Sequence, residues 1–193
     1  MHTFSVAKLS SQACLTGVQT VLGEGDDSSE SRYDRGYCIV RPPGHHAHSD
    51  YIHGFCFFNN VAIAAQYAVD QGKKVLIFDW DIHHGDGTQN IFYDNNKVLY
   101  MSLHRFDSMT FFPRREDSRS ECIGSEQGAG FNVNVAWETG KVANEEAREE
   151  NEMTDLGCNE YRHACDNLLF PIAKEFAPDL ILISCGFDGG IHD

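Results

Sequence analysis

The apolar run Val75-Leu76-Ile77-Phe78 breaks abruptly into Asp79-Trp80-Asp81-Ile82-His83-His84-Gly85-Asp86-Gly87, placing carboxylates and imidazoles two residues apart at the end of a hydrophobic stretch. If the backbone stays extended, Asp79, Asp81 and His83 leave from one face while Trp80 and Ile82 go to the other. A carboxylate and an imidazole then reach one point. Zinc accepts both donor types, and a hydrolytic zinc site needs only three protein ligands, the rest being left to water or substrate. A salt-bridged Asp–His pair at a strand end would explain the same spacing. A second acid, Asp188, follows another apolar run, Leu180 to Ser184, in Cys185-Gly186-Phe187-Asp188. If the two runs are parallel neighbours in a sheet, Asp188 faces Asp81 and His83 and completes a set of two carboxylates and one imidazole. Such an ion acidifies its water and polarises a carbonyl, the chemistry of metal-assisted amide hydrolysis. Two adjacent histidines, His45 and His46, follow Pro42-Pro43-Gly44. They share a purpose only if the backbone there is irregular; otherwise they are solvent-facing loop residues.

The elements that must position these residues follow from pattern. Lys74 to Phe78, Val98 to Leu103 and Asp179 to Ser184 read as strands buried on both faces, and Tyr37 to Val40 and Phe131 to Val135 as further strands. Helical spacing covers Ser5 to Leu22 through Val6, Leu9, Ala13, Val18 and Leu22, then Val61 to Gln71 with Asn59 or Asn60 as N-cap, and Glu160 to Phe176 with a bend at Pro171. Gln89 to Tyr93 is a short helix or turn. Phe55, Phe57 and Phe58 are expected to place at least two rings in the core, although Phe55, directly after Gly54, suits a channel wall. Strands alternating with helices define an α/β protein with a doubly wound, mostly parallel sheet in three layers. Ligands in such sheets collect outside the carboxyl ends of the strands. The chain reads as one domain over residues 1–193, with a polar loop at 24–35, a site loop at 104–130 and an acidic excursion at 141–157.

With 15 basic and 29 acidic residues the net charge is −14, which argues against direct binding of a nucleic-acid backbone and favours basic partners. Seven cysteines without a C-x-x-C pair argue against a disulfide framework and a Cys-rich zinc module, and fit a reducing, intracellular compartment. No apolar run of membrane-spanning length and no signal peptide stands out, so neither membrane nor secretion is expected. Neither a serine nucleophile elbow nor a phosphate-binding loop is present.

The blocks RPPGHHA (Arg41 to Ala47), GFCFFNN (Gly54 to Asn60), DWDIHHGDGTQ (Asp79 to Gln89), SLHRFD (Ser102 to Asp107), FFP (Phe111 to Pro113), NVAW (Asn134 to Trp137) and GFD (Gly186 to Asp188) resemble the zinc-dependent histone deacetylase family in order and spacing. Together they span Tyr37 to Asp188, and the DWD and NVAW wording is most similar to class II, the class IIb branch in particular. The resemblance implies the arginase/deacetylase fold and hydrolysis of N-acetyl-lysine by a metal-bound water. It makes Asp81, His83 and Asp188 the zinc ligands. His45 is then held by Asp79 and His46 by Asp86, with His46 the general base and His45 its electrostatic partner. Phe55 and Phe112 become opposite walls of a narrow channel for the lysine stem, and the Gly54 carbonyl an acceptor for the substrate amide. A structural potassium ion would take Asp79, the Ser102 hydroxyl and the carbonyls of Asp81, His83 and Leu103. Implied partners are acetylated proteins or peptides, with corepressor or cytoskeletal proteins besides, in nucleus or cytoplasm. Histones, tubulin and acetylated polyamines are not told apart.

The pattern is expected to be incomplete at both ends. The family's oxyanion-stabilising tyrosine follows the GFD acid, whereas the last of the seven tyrosines here is Tyr161. Losing one such donor costs about 10²–10³ in rate, so this chain alone is expected to be nearly inactive. The alternatives are a non-catalytic zinc-binding or interaction fragment and a binuclear amidinohydrolase of arginase type. The latter needs a further acid two residues after Asp188, where Gly190 stands.

Overall fold

A computed structural model describes residues 2–23, 33–139 and 157–190. The acidic excursion and most of the polar loop expected at 24–35 lie outside the described residues. The apolar runs form β1 (Val75–Asp79), β2 (Val98–Arg105) and β4 (Leu180–Ser184), and the alternating segment forms β3 (Asn132–Trp137). All pair in parallel in the order β3-β2-β1-β4. Consecutive strand side chains point to opposite faces, and for β1 and β2 both faces are covered. Val75, Ile77, Val98 and Tyr100 pack under α1 (Thr3–Val21) and α2 (Asn60–Asp70) together with Ala62, Ala65 and Ala68. Leu76, Leu99, Met101 and Leu103 pack against α4 (Cys158–Ala164) and α5 (Phe170–Phe176), through Ala164, Leu169 and Phe176. This is the doubly wound α/β arrangement, with α3 (Asp86–Phe92) leading from β1 back to β2.

Asn59 is the N-cap of α2: its side chain accepts from the Ala62 amide, which satisfies an otherwise orphaned donor. The helix stops at Gly72, in the left-handed region at φ +78°. The long C-terminal helix is interrupted, as the proline suggested, but by a π-helical stretch at Cys165–Leu169 that ends two residues before Pro171.

Four expectations are corrected. Tyr37 to Val40 joins no sheet among the described residues, and Tyr37 and Ile39 are exposed, because no strand lies beside them. Among the described residues the strand at Leu180–Ser184 is an edge strand, and Ile181 and Ile183 are exposed on one of its faces. In α1 it is Ala7, Ser10, Ser11 and Val18 that are buried, while Val6 and Leu9 face out. Small side chains let α1 approach α2, and Ser11 donates to Asn60 Oδ1 at 2.7 Å across the contact. Finally, none of Phe55, Phe57 and Phe58 is a buried core residue: Phe55 is 90% exposed, Phe57 is exposed, Phe58 is half-buried against Phe4, and Cys56 is buried in their place. The left-handed backbone at Gly54 and Phe55 turns the ring outward.

Candidate metal centre and its histidine pairs

The site stands outside the carboxyl ends of β1 and β4. Asp79 and Ser184 are partners in register there, so Asp81 and Asp188 leave from neighbouring strand ends. The chain does not stay extended past Asp79. The Asp81 amide donates to Asp79 Oδ1 (3.2 Å) and the His83 amide to Asp81 Oδ1 (2.8 Å), two side-chain turns that fold the segment back. As a result Asp79 is drawn beneath the site, fully buried, while Asp81 and His83 remain at its surface.

His83 Nδ1 lies 2.8 Å from Asp188 Oδ2 and 3.2 Å from Asp81 Oδ1. The donor atoms of Asp81, His83 and Asp188 all fall within 4.8 Å of one another. Ligand atoms about 2.0–2.2 Å from a tetrahedral zinc stand about 3.3 Å apart, so the set fits such an ion in type and spacing. Burial disfavours charge on His83, but its bonds to Asp188 and Asp81 outweigh this and raise its pKa to about 9. Burial also works against the Asp81 carboxylate, yet its bond to His83 and the charge of His45 hold it below the usual range. Backbone closeness makes this possible: a Cβ on Gly186 would overlap the Asp81 carboxylate.

The tandem histidines sit at the same mouth, with ring centroids 4.0 Å apart. His45 Nδ1 is 3.0 Å from Asp79 Oδ2, and His46 Nδ1 is 2.6 Å from Asp86 Oδ1. The irregular backbone required for a shared purpose comes from the Gly44 turn, with the Gly44 carbonyl accepting from Ala47 N. The two rings differ in proton affinity. Burial works against charge on His45, but the Asp79 carboxylate prevails and lifts it to about 9. On His46 burial prevails over the Asp86 bond, and the pKa falls to about 4. Near neutral pH these directions favour a charged His45 beside a neutral His46 whose Nδ1 is engaged by Asp86.

Phe112 meets the edge of His46 at 5.0 Å, and Phe111 stacks on His83 at 4.8 Å. Gly54 holds φ +50° directly beside the His46 ring, where a Cβ would overlap it. Its carbonyl accepts from Cys56 Sγ at 3.2 Å. Asp79 and Ser102 are partners in register and both wholly buried; Tyr100 donates its hydroxyl to Asp79 Oδ2, and Ser102 Oγ contacts His104 Nδ1 at 2.8 Å.

Some neighbours escaped the pattern-based reading. His48, His53 and Arg115 also converge on Asp86, and the only sequence signal for them is four histidines within His45 to His53. The loop at 104–130 divides its work. Phe111 and Phe112 face the site, while Asp117 and Ser118 brace the sheet from behind: Ser118 Oγ meets His84 Nδ1, and its carbonyl meets His104 Nε2.

The parallel α/β sheet thus carries at its carboxyl edge a two-carboxylate, one-imidazole cluster that could hold a metal ion, beside two Asp–His pairs. The sequence profile of the histone deacetylase domain matches residues 1–193, and the chain belongs to that family. It is 42% identical to histone deacetylase 18 of Arabidopsis thaliana over 191 residues, covering 95% of this chain and 26% of that protein. It is 48% identical to human histone deacetylase 7 over 155 residues, covering 79% of this chain and 15% of that one. The crystal structure of the HDA15 HD domain superposes with a TM-score of 0.81 at 39% identity, covering 97% of this chain and 47% of the other. The chain thus spans about a quarter of the length of the first of these relatives.

Proposed function

We propose that this chain carries the zinc site of a protein lysine deacetylase of class II, closest in motif wording to class IIb. The observation that carries the reading is the convergence of Asp81, His83 and Asp188 at one strand edge with a neutral His46 beside them. Bound zinc would supply a water acidified towards neutrality and a Lewis acid for the amide carbonyl. His46, oriented by Asp86, takes the proton of the attacking water at Nε2 and returns it to the departing lysine amine. His45, charged and held by Asp79, keeps a positive field beside the reacting centre. Phe55 and Phe112 flank the lysine stem, and the Gly54 carbonyl orients the amide N–H. Asp79, Ser102 and the carbonyls of Asp81, His83 and Leu103 would hold a potassium ion beneath, a reading supported by the register and burial of Asp79 and Ser102. Residues 1–193 act as one catalytic unit in this reading. Its substrate is an acetylated protein or peptide, corepressor or cytoskeletal proteins are its further partners, and the cell interior, nucleus or cytoplasm, is its place.

Turnover by this chain alone is expected to be small, because Phe55, 90% exposed, leaves its side of the channel open to water, which weakens every electrostatic contribution there. Binding is therefore the cleaner test. Fluorescence anisotropy should show zinc-dependent preference for an acetyl-lysine peptide over its unacetylated twin, lost in Asp188→Asn. Equal affinity for the two peptides in the zinc-loaded chain would overturn the reading.

A further inference from the structure

Asp86 receives more nitrogen than a single orienting carboxylate needs. His46 Nδ1 faces Oδ1 at 2.6 Å, while His48 Nε2 and His53 Nδ1 face Oδ2 at 3.0 and 3.3 Å. His53 Nδ1 is buried and makes no hydrogen bond of acceptable direction to that oxygen, so an imidazole nitrogen is aimed into the cluster and left unsatisfied. His46, His53 and Asp86 offer donor atoms all within 4.8 Å of one another. His48, stacked on Tyr51 at 4.1 Å, stands ready as a fourth. Two or three imidazoles and one carboxylate are a donor set that zinc, cobalt and nickel accept.

The geometry points to a second transition-metal site, formed by His46, His53 and Asp86 with His48 beside them, whose occupation switches off the His46 base. This goes beyond the proposed function, because none of these residues belongs to the Asp81, His83, Asp188 set. The switch follows from proton bookkeeping on one ring. With Nδ1 donating to Asp86, neutral His46 keeps its lone pair on Nε2, facing the reaction. A metal binding at Nδ1 needs a lone pair there, so the ring proton moves from Nδ1 to Nε2; no net proton is gained or lost, but Nε2 becomes a donor and can no longer accept. The His46–Asp86 hydrogen bond is replaced by two metal–ligand bonds. The ring centroids of His46 and His83 are 6.0 Å apart, so two divalent ions repel and the second binds more weakly than the first. The Arg115 guanidinium, 3.9 Å from Asp86 but paired mainly with Asp117 at 2.7 Å, opposes the ion further.

The test is titration of the metal-free 193-residue chain with cobalt(II), read by visible absorption and calorimetry, and with zinc, read by long-range ¹H–¹⁵N NMR of the imidazoles. Two equivalents are expected, the weaker one lowered about 100-fold or more in both His53→Ala and His53→Gln with the tighter one retained. His46 should change tautomer only as the second equivalent binds. A single equivalent in the unaltered chain, a second equivalent that survives both His53 variants, or an unchanged His46 tautomer would each overturn the proposal. Loss of both equivalents in Asp188→Asn would do the same, since it would mean that the ions share that ligand. Failure of the tighter equivalent to depend on Asp188 would instead count against the proposed deacetylase centre and leave the His53-dependent one standing.

Discussion

His45 and His46 are neighbours in sequence and in contact in space, yet one is lifted to about 9 and the other lowered to about 4. The difference lies in the balance at each ring: at His45 the charges of Asp79, Asp81 and Asp86 overcome burial, whereas at His46 burial, with the charge of His45 beside it, overcomes the Asp86 bond. The same economy of space appears at Gly186, where a Cβ would intrude on the Asp81 carboxylate. Gly186→Ala is therefore expected to lower zinc affinity by about 10–100-fold, as displacement of a ligand-orienting group does, with the far-ultraviolet circular dichroism unchanged. Competition with a zinc-responsive dye measures it, and undiminished affinity would show that Asp81 has room to move.

At the scale of elements, two buried polar clusters hold the site from behind. Asn59 caps α2 and also donates from Nδ2 to the Ala47 carbonyl and to Thr88 Oγ, so one side chain ties α2, the histidine loop and α3 together. Gln89 of α3 accepts from Asn132 and Asn134 of β3 and donates to the Asp117 carbonyl. Gln89→Leu would leave His84 Nε2 without its partner at Gln89 and take one partner each from Asn132, Asn134 and the Asp117 carbonyl, which keep others, at about 1–3 kcal/mol for each group left unsatisfied. A loss of about 2–5 kcal/mol in denaturant-unfolding stability is expected. A change below about 0.5 kcal/mol, the size of an ordinary surface substitution, would mean that the cluster rearranges around the leucine.

For the molecule as a whole, the acids of two strands far apart in sequence meet only when the sheet is formed, so a metal that bridges them stabilises the folded chain alone. Zinc at about 100 times its dissociation constant should add about 2.7 kcal/mol to the unfolding free energy, reversed by chelator and absent in Asp188→Asn. No zinc-dependent shift in the melting temperature of the unaltered chain would disprove the coupling. The strands, the doubly wound order and the Asn59 cap were legible in the chain because a period of two, a period of 3.6 and a capping amide are local physical patterns. The types and spacing of Asp81, His83 and Asp188 were legible too, and the fold brings their donor atoms together. What only the tertiary structure decided is which surfaces find partners. Among the described residues β4 is an edge, Phe55 faces solvent, the segment after Asp79 folds back on its own side chains, and His48 and His53 join His46 on one carboxylate. These depend on contacts between segments tens of residues apart, and no local pattern encodes whether a neighbour will be there to complete them.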